Sequence, residues 1–491
     1  MRHRTLGCAR SLVLCCLGWN CALEARASAD EPWHTGFLFD QFSLTLDAGT
    51  RTEALGPFYY YEERESERVF AVPPLFSHTT DNATDAEEFD LLYPLLTYDR
   101  FGREYRWQLI QLLSFSGGQN QDGVPNTRFT LFPLYFQQRS PDASLNYTAL
   151  LPLYGHIRQR LFRDDIFFVM LPFYIQTRKR DVVTYNCPYP FFHLRYGNSL
   201  YGWQFWPLVG QEHKDVSTLT NGFGEAETIG GHDKFFALWP FVFNQTLGIG
   251  TGNTERKHGL LPLYSVARSP NRDSTTVIWP FFTWIDDREK KYREWEGPWP
   301  FVVVARGEGK TTTRVWPLVG RAHSDILVSD FYLWPIYKYN RAHADPLDRE
   351  RTRILYFLFS DLTEKNTETG KALHRTDFWP LFTHRRDFNG NSRFQVLALI
   401  EPVLLNNKSL ERNWSPLWSL WRSEKNPTSG ATSQALLWNL YRRETTATTR
   451  NCSLLFGLFQ YSSDAEAPAR RDVRLFYISF GKKPSQNNLS R

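Results

Sequence analysis

Nine arginines occupy one fixed place in this chain: Arg100, Arg139, Arg158, Arg178, Arg268, Arg306, Arg341, Arg386 and Arg422 each follow a proline by six residues. A guanidinium is permanently charged and presents its donors in a planar fork, so a periodic row of them suits two tasks. One is anchoring a strand end, with the stem along apolar surface and the head in a polar layer. The other is lining a path that selects anionic solutes.

Other residue patterns carry less chemistry. Gly309-Lys310-Thr311 resembles the end of a phosphate-binding loop, but the first glycine of that motif should fall at position 304, which is Val304. A strand also follows where a helix is required, so the segment is read as a hairpin turn. Gly248-Ile249-Gly250-Thr251-Gly252 lacks the spacing of a dinucleotide fingerprint and is read as a loop. Histidines 78, 156, 193, 232, 258, 323 and 384 stand singly, without His-Glu-x-x-His or a cysteine pair at metal spacing. Asp164-Asp165 and Asp286-Asp287 lie in polar connectors and are read as solvated turns. The sequence predicts no enzyme, no metal site and no cofactor.

The elements that position these residues come from a repeat. Phe132-Pro133-Leu134-Tyr135 returns as Leu151-Pro152-Leu153-Tyr154, Trp206-Pro207-Leu208-Val209, Trp279-Pro280-Phe281-Phe282, Trp316-Pro317-Leu318-Val319 and Trp379-Pro380-Leu381-Phe382, among others. Pro133, Pro152, Pro172, Pro190 and Pro207 are 19, 20, 18 and 17 residues apart. Proline-free copies such as Leu455-Phe456-Gly457-Leu458 fill gaps, giving about twenty-two units of 19–20 residues. Between motifs lie turn formers such as Asn389-Gly390-Asn391, and the remainder is rich in Phe, Tyr, Trp, Val, Thr and Leu. The fold class is therefore all-β, with repetitive antiparallel strands. If each unit is one strand, the chain closes as a large outer-membrane-type barrel of about twenty to twenty-two strands. The motif proline argues against that, because it lacks the N–H a ladder needs. The alternative makes Trp-Pro a turn and each unit a stacked β-hairpin. The two differ in where the arginines fall: alternate rims for single strands, one shared edge for hairpins.

Numbering from the proline, positions −1 and +1 are apolar, with Trp at −1 in seven copies (206, 239, 279, 299, 316, 334, 379). On a strand these would share one face. The stretch 216–233, rich in Gly, Thr and Asn, reads as a long loop within a single domain spanning 30–480, and 481–491 as a polar tail.

Residues 1–29 carry Arg2, Arg4 and Arg10, an apolar run from Leu12 to Trp19 and the small residues Ala27-Ser28-Ala29, which reads as a secretory signal peptide. Of six cysteines only Cys187 and Cys452 follow it, too few for a disulfide framework; two buried thiols are expected. Aromatic residues make up 16% of the chain, and 57 basic against 52 acidic residues are dispersed, so nucleic-acid binding is not expected. Signal peptide, aromatic richness and alternating strands together resemble outer-membrane β-barrels in a generic way. That resemblance implies export to the outer membrane of a Gram-negative-type bacterium, lipid as a partner, and a channel, transport or structural surface role. The alternative is a periplasmic or surface β-repeat scaffold that binds polysaccharide or protein. An anionic solute is the ligand the arginine row would suit.

Overall fold

A computed structural model of the chain describes residues 38–480 apart from 120–122, 198, 221–223, 225 and 465–470. The segments read from the sequence as a signal peptide and a polar tail, 1–29 and 481–491, lie outside the described residues. The rest is all-β. Strands of four to eight residues, ending in the two-residue Ile478–Ser479, follow one another as an antiparallel meander. Among the described residues 43 strands join one sheet.

Each repeat is a hairpin of two strands. Strand Pro125–Leu131 runs into the turn Phe132-Pro133-Leu134, and Tyr135–Arg139 returns with Leu131 opposite Tyr135. Strands Arg163–Val169 and Tyr174–Lys179 do the same around Pro172. The expectation of one strand per unit, and with it a count of about twenty to twenty-two, is corrected in favour of the stacked-hairpin alternative. The reason is the proline: placed in the turn, it leaves no hole in the ladder. Positions −1 and +1 consequently lie in the turn, where no strand face applies to them, and the alternation begins at +2. The stretch 216–233 is also more ordered than a loop. Ser217–Thr220 pairs with Ala226–Ile229 as a separate two-stranded sheet, while the main sheet passes it by pairing Val209–Lys214 with Gly231–Ala237.

Two edges and two faces result. The turns of the proline motif lie along one edge, and the polar connectors along the other. One face carries the residues that pack. Phe136, Ala149, Ile157 and Phe168 are nearly inaccessible and form one cluster; Tyr60, Val69 and Ala71 form a second. Small residues allow neighbours to lie across this face. A Cβ on Gly155 would collide with the Ala149 Cβ and come within 2.6 Å of Phe168 Cζ.

The sheet curls so that this face turns inward, because its two ends meet through it. Arg442 stacks over the Phe42 ring, and Asn439 donates to Glu53 at 2.6 Å. An insertion at 397–420, carrying the helices Lys408–Asn413 and Ser415–Trp418, covers the inner face of the early hairpins. Arg412 reaches Thr79 at 2.7 Å and Glu88 at 2.6 Å, and its carbonyl accepts from Tyr60 at 3.1 Å. Asn413, 0% exposed, donates to Ser77 and Asp90. The ends thus meet through side chains; among the described residues no backbone ladder joins strand Asp40–Ser43 to a late strand.

Candidate functional site

The proline-turn edge is the most distinctive surface. Leu55–Phe58, Phe132–Leu134, Leu151–Leu153, Leu238–Phe241, Ile278–Phe281, Leu333–Ile336, Trp379–Leu381 and Leu455–Leu458 are examples of its turns. Apart from the 397–420 insertion, every turn on this edge among the described residues lacks Asp, Glu, Lys and Arg. Many of its side chains point into solvent, with Phe132 54% exposed, Leu153 55%, Trp239 51% and Leu263 60%, whereas Leu151 and Leu171 pack against the inner cluster and Leu261 is buried. Neighbouring rings touch along the rim, Trp206 with Trp239 at 6.0 Å and Trp316 with Trp334 at 5.8 Å. The opposite edge is mostly polar, rich in Asp, Asn, Gly, Ser and charged residues, with exposed apolar residues such as Phe101, Leu161, Phe162, Val216, Ile326 and Phe388 among them.

The outer face grades from apolar to charged between these edges. The row nearest the turns is apolar strand after strand, as in Tyr135 opposite Leu150, Leu150 opposite Tyr154 and Tyr154 opposite Val169. It continues through Tyr332, Tyr337, Ile354, Phe359, Phe378 and Phe382. The next row mixes aromatic and polar groups, with His156 opposite Phe167 and Trp284 opposite Trp295. The third row is charged and holds the arginines.

Eight of the nine sequence-defined arginines share that third row, at the edge away from the proline turns. Pairing runs Arg158, Asp165, Arg178 across one stretch and Arg256, Arg268, Asp273, Asp286, Arg293, Arg306 across another. This is the shared edge expected of hairpin units. Arg422 is the exception and corrects the single slot. The insertion separates Pro416 from its strand, so Arg422 pairs with Gln395 on the inner face and bonds Glu424 at 2.7 Å.

The row has a repeated geometry. Arg139, Arg268 and Arg306 each donate to the preceding carbonyl, to a carbonyl of the next strand (Tyr147, Ser274, Thr312) and to a threonine hydroxyl (Thr148, Thr275, Thr313). Arg100 bonds Glu87 at 3.0 Å and Asp85 at 3.1 Å; Arg341 grips Asp348 at 3.0 and 2.7 Å. Arg158 reaches the Ser144 carbonyl and lies 3.8 Å from Asp165. Arg178 stands opposite Asp165, and Arg386 opposite His374 and Ser392. In this arrangement the guanidinium ties the polar end of one strand to the next.

The inner face is polar and charged between its packed clusters. A groove of about 510 Å³ is lined by His193, Gln204, Trp206, Phe236, Trp239 and Phe243. In it Glu212 meets Arg195 at 2.7 Å, His232 at 2.7 Å and Lys234 at 3.1 Å. Burial pushes the Glu212 carboxyl up, but Arg195 and Lys234 outweigh it and hold the group below the usual carboxylate range. Burial, with help from Arg195, pushes the His193 imidazole down.

Cys187 is exposed in its turn and Cys452 half-buried; both are free thiols, which corrects the expectation of two buried ones. No family model and no curated protein matches this sequence.

The rim is only half visible in the sequence. The Trp, Leu and Phe at −1 and +1 stand out, but placing them on a strand hides that they form an exposed edge. The absence of charge from those turns is the signal that could have found it.

Proposed function

We propose that this chain is an exported β-hairpin scaffold that seats its proline-turn edge in one leaflet of a lipid bilayer and holds its polar inner face at the membrane surface. The supporting observation is the charge-free, solvent-facing rim. At roughly 100 Å² per half-exposed large side chain, two per turn over about twenty turns give a few thousand Å². That is far above the few hundred Å² of the largest patch on a typical soluble monomer. A ring of this extent suits a continuous apolar medium better than a compact protein partner. The outer face supports the same reading. Apolar turns, a Tyr- and Phe-bearing row, a mixed row and a charged row reproduce the order of acyl chain, interface and water.

A spanning barrel fits less well. Strands of six residues rise about 20 Å, against a hydrocarbon core of about 30 Å that calls for roughly 9–11 tilted residues per strand. An edge-on seat needs only roughly 5–10 Å of penetration, which the turn and the first row provide. Export, resting on the segment 1–29, places the bilayer at the periplasm or cell surface.

Vesicle flotation tests the reading. The mature chain should float with phosphatidylcholine vesicles in high salt, since the rim carries no charge for salt to screen. Recovery of all the protein in the unbound fraction would refute it.

A further inference from the structure

A second feature lies on the inner face and is independent of the rim. Strands Tyr337–Ala344 and Leu347–Ile354 are neighbours, with Lys338 directly opposite Arg353 and Asn340 opposite Arg351. Side chains alternate along a strand, so Lys338, Arg353 and Arg351 share one face. It is the inward one: the Arg353 row continues to Ser360 and Asp377, which are 6% and 3% exposed. Directly opposite side chains on a sheet stand about 5 Å apart at Cβ, so three cations converge on one patch.

What should balance them is engaged elsewhere. Asp377, two strands from Arg353, takes both bonds from Arg375 Nε at 2.9 and 3.1 Å and a third from Thr383. Glu364 is held by Arg349 at 3.0 Å. Arg351 donates to Ser360 at 3.3 Å, a neutral partner. Arg353 Nε is buried without a hydrogen-bond partner among the described residues. Burial and the charges of Arg353 and Arg349 together depress the Arg351 guanidinium below its ordinary value. A face that gathers like charge and leaves a buried guanidinium donor unused is incomplete without an anion.

We propose that Lys338, Arg351 and Arg353 bind a phosphate group, the two guanidiniums offering paired donors to its oxygens and the ammonium a third contact. Planar guanidiniums match the spacing of phosphate oxygens, and an ammonium adds a point charge. Position narrows the source. Lys338 and Arg353 occupy the inner row closest to the proline turns, one residue beyond the apolar Tyr337 and Ile354. With the rim seated in a leaflet, that row lies at the depth of lipid headgroups, so a phospholipid phosphate is within reach as well as a free phosphate ester.

Two arms separate the sources. In the first, glycerophosphate is titrated into the mature protein without lipid and followed by calorimetry. In the second, binding to phosphatidylglycerol vesicles is compared with binding to vesicles of digalactosyldiacylglycerol, which lack phosphate. Arg351→Gln and Arg353→Gln should each weaken the phosphate-dependent signal roughly tenfold, as expected for loss of a charge-assisted bond. Arg341→Gln, on the outer face and paired with Asp348, serves as the control and should leave it unchanged. Binding of soluble glycerophosphate identifies a free-ester site, whereas a preference for phosphatidylglycerol alone, lost in both variants, identifies a lipid headgroup site. The proposal is overturned if neither arm detects binding, or if wild type and the two inner-face variants bind alike. Flotation of the same variants with vesicles of digalactosyldiacylglycerol, a bilayer lipid without phosphate, reads the rim alone, so failure of the phosphate site and failure of the membrane seat are distinguishable.

Discussion

Replacing Asn413 by Ala tests how the two ends of the sheet are held. Asn413 is 0% exposed, and its amide donates to Ser77 at 3.0 Å, Asp90 at 3.1 Å and the Ser409 carbonyl at 2.9 Å. Truncation removes bonds to a neutral hydroxyl and to the Ser409 carbonyl, worth about 1 kcal/mol each, and one to a carboxylate, worth about 1.5–3 kcal/mol, offset in part because the amide oxygen is itself buried without a partner among the described residues. Asp90 keeps Arg412 at 3.4 Å and Ser77 at 3.3 Å, which limits the loss. The expected cost is about 3 kcal/mol, or roughly a hundredfold in the local opening constant. A repeat protein does not unfold as one unit, so a global midpoint is the wrong readout. Hydrogen exchange resolved by peptide is the right one. Exchange should accelerate in Phe76–Leu91 and in the 397–420 insertion together, while the central hairpins from Tyr154 to Lys179 keep their protection. Acceleration confined to the insertion, or spread evenly over the chain, would refute the claim that these contacts join the ends.

Acidification should loosen the same region. Burial raises the Glu424 carboxyl, but Arg422 and Arg393 dominate and bring it from the ordinary 4.5 to about 2. A depressed carboxylate stabilises the fold above its unfolded value and loses that contribution as pH falls from 4.5 towards 2; for this buried group the difference is about 3 kcal/mol. Glu424→Gln should abolish this part of the acid sensitivity, and an unchanged pH profile of exchange at Ser392–Val396 would contradict it. Gly155→Ala should destabilise its hairpin by roughly 1–3 kcal/mol, because the new Cβ would lie 2.5 Å from the Ala149 backbone; a variant as resistant to local unfolding as wild type would count against the close inner packing. Trp239→Ser combined with Phe241→Ser should weaken vesicle binding by roughly 2 kcal/mol per side chain, measured by flotation, while the outer-row change Gln211→Arg should not.

How much of this the sequence disclosed depends on the range of the interaction. The repeat, its spacing and its turn residues are local, and Pro133 and its counterparts already carried the argument for hairpins, since a strand interior gives proline no place. Counting one strand per unit failed because a period near nineteen residues accommodates two strands of about six with their turns as readily as one long strand. Arg422 was misplaced for a related reason: an offset of six from Pro416 assumes an uninterrupted hairpin, and the 397–420 insertion breaks it. Arg412 and Asn413 gave no signal at all, because their partners Thr79, Ser77 and Asp90 lie more than three hundred residues away. The cluster of Lys338, Arg351 and Arg353 was equally hidden, since it depends on register between neighbouring strands rather than on spacing from a motif.

The claim that one edge of the sheet sits in a single leaflet is tested most directly by the depth of its tryptophans. Trp239, Trp279, Trp299, Trp316, Trp334 and Trp379 all stand in the proline turns. With the mature protein bound to vesicles whose lipids are brominated at defined acyl positions, quenching should be strongest for bromines near the headgroup end and weak for bromines at the chain terminus. Absence of quenching, or quenching that peaks at the bilayer centre, would contradict it.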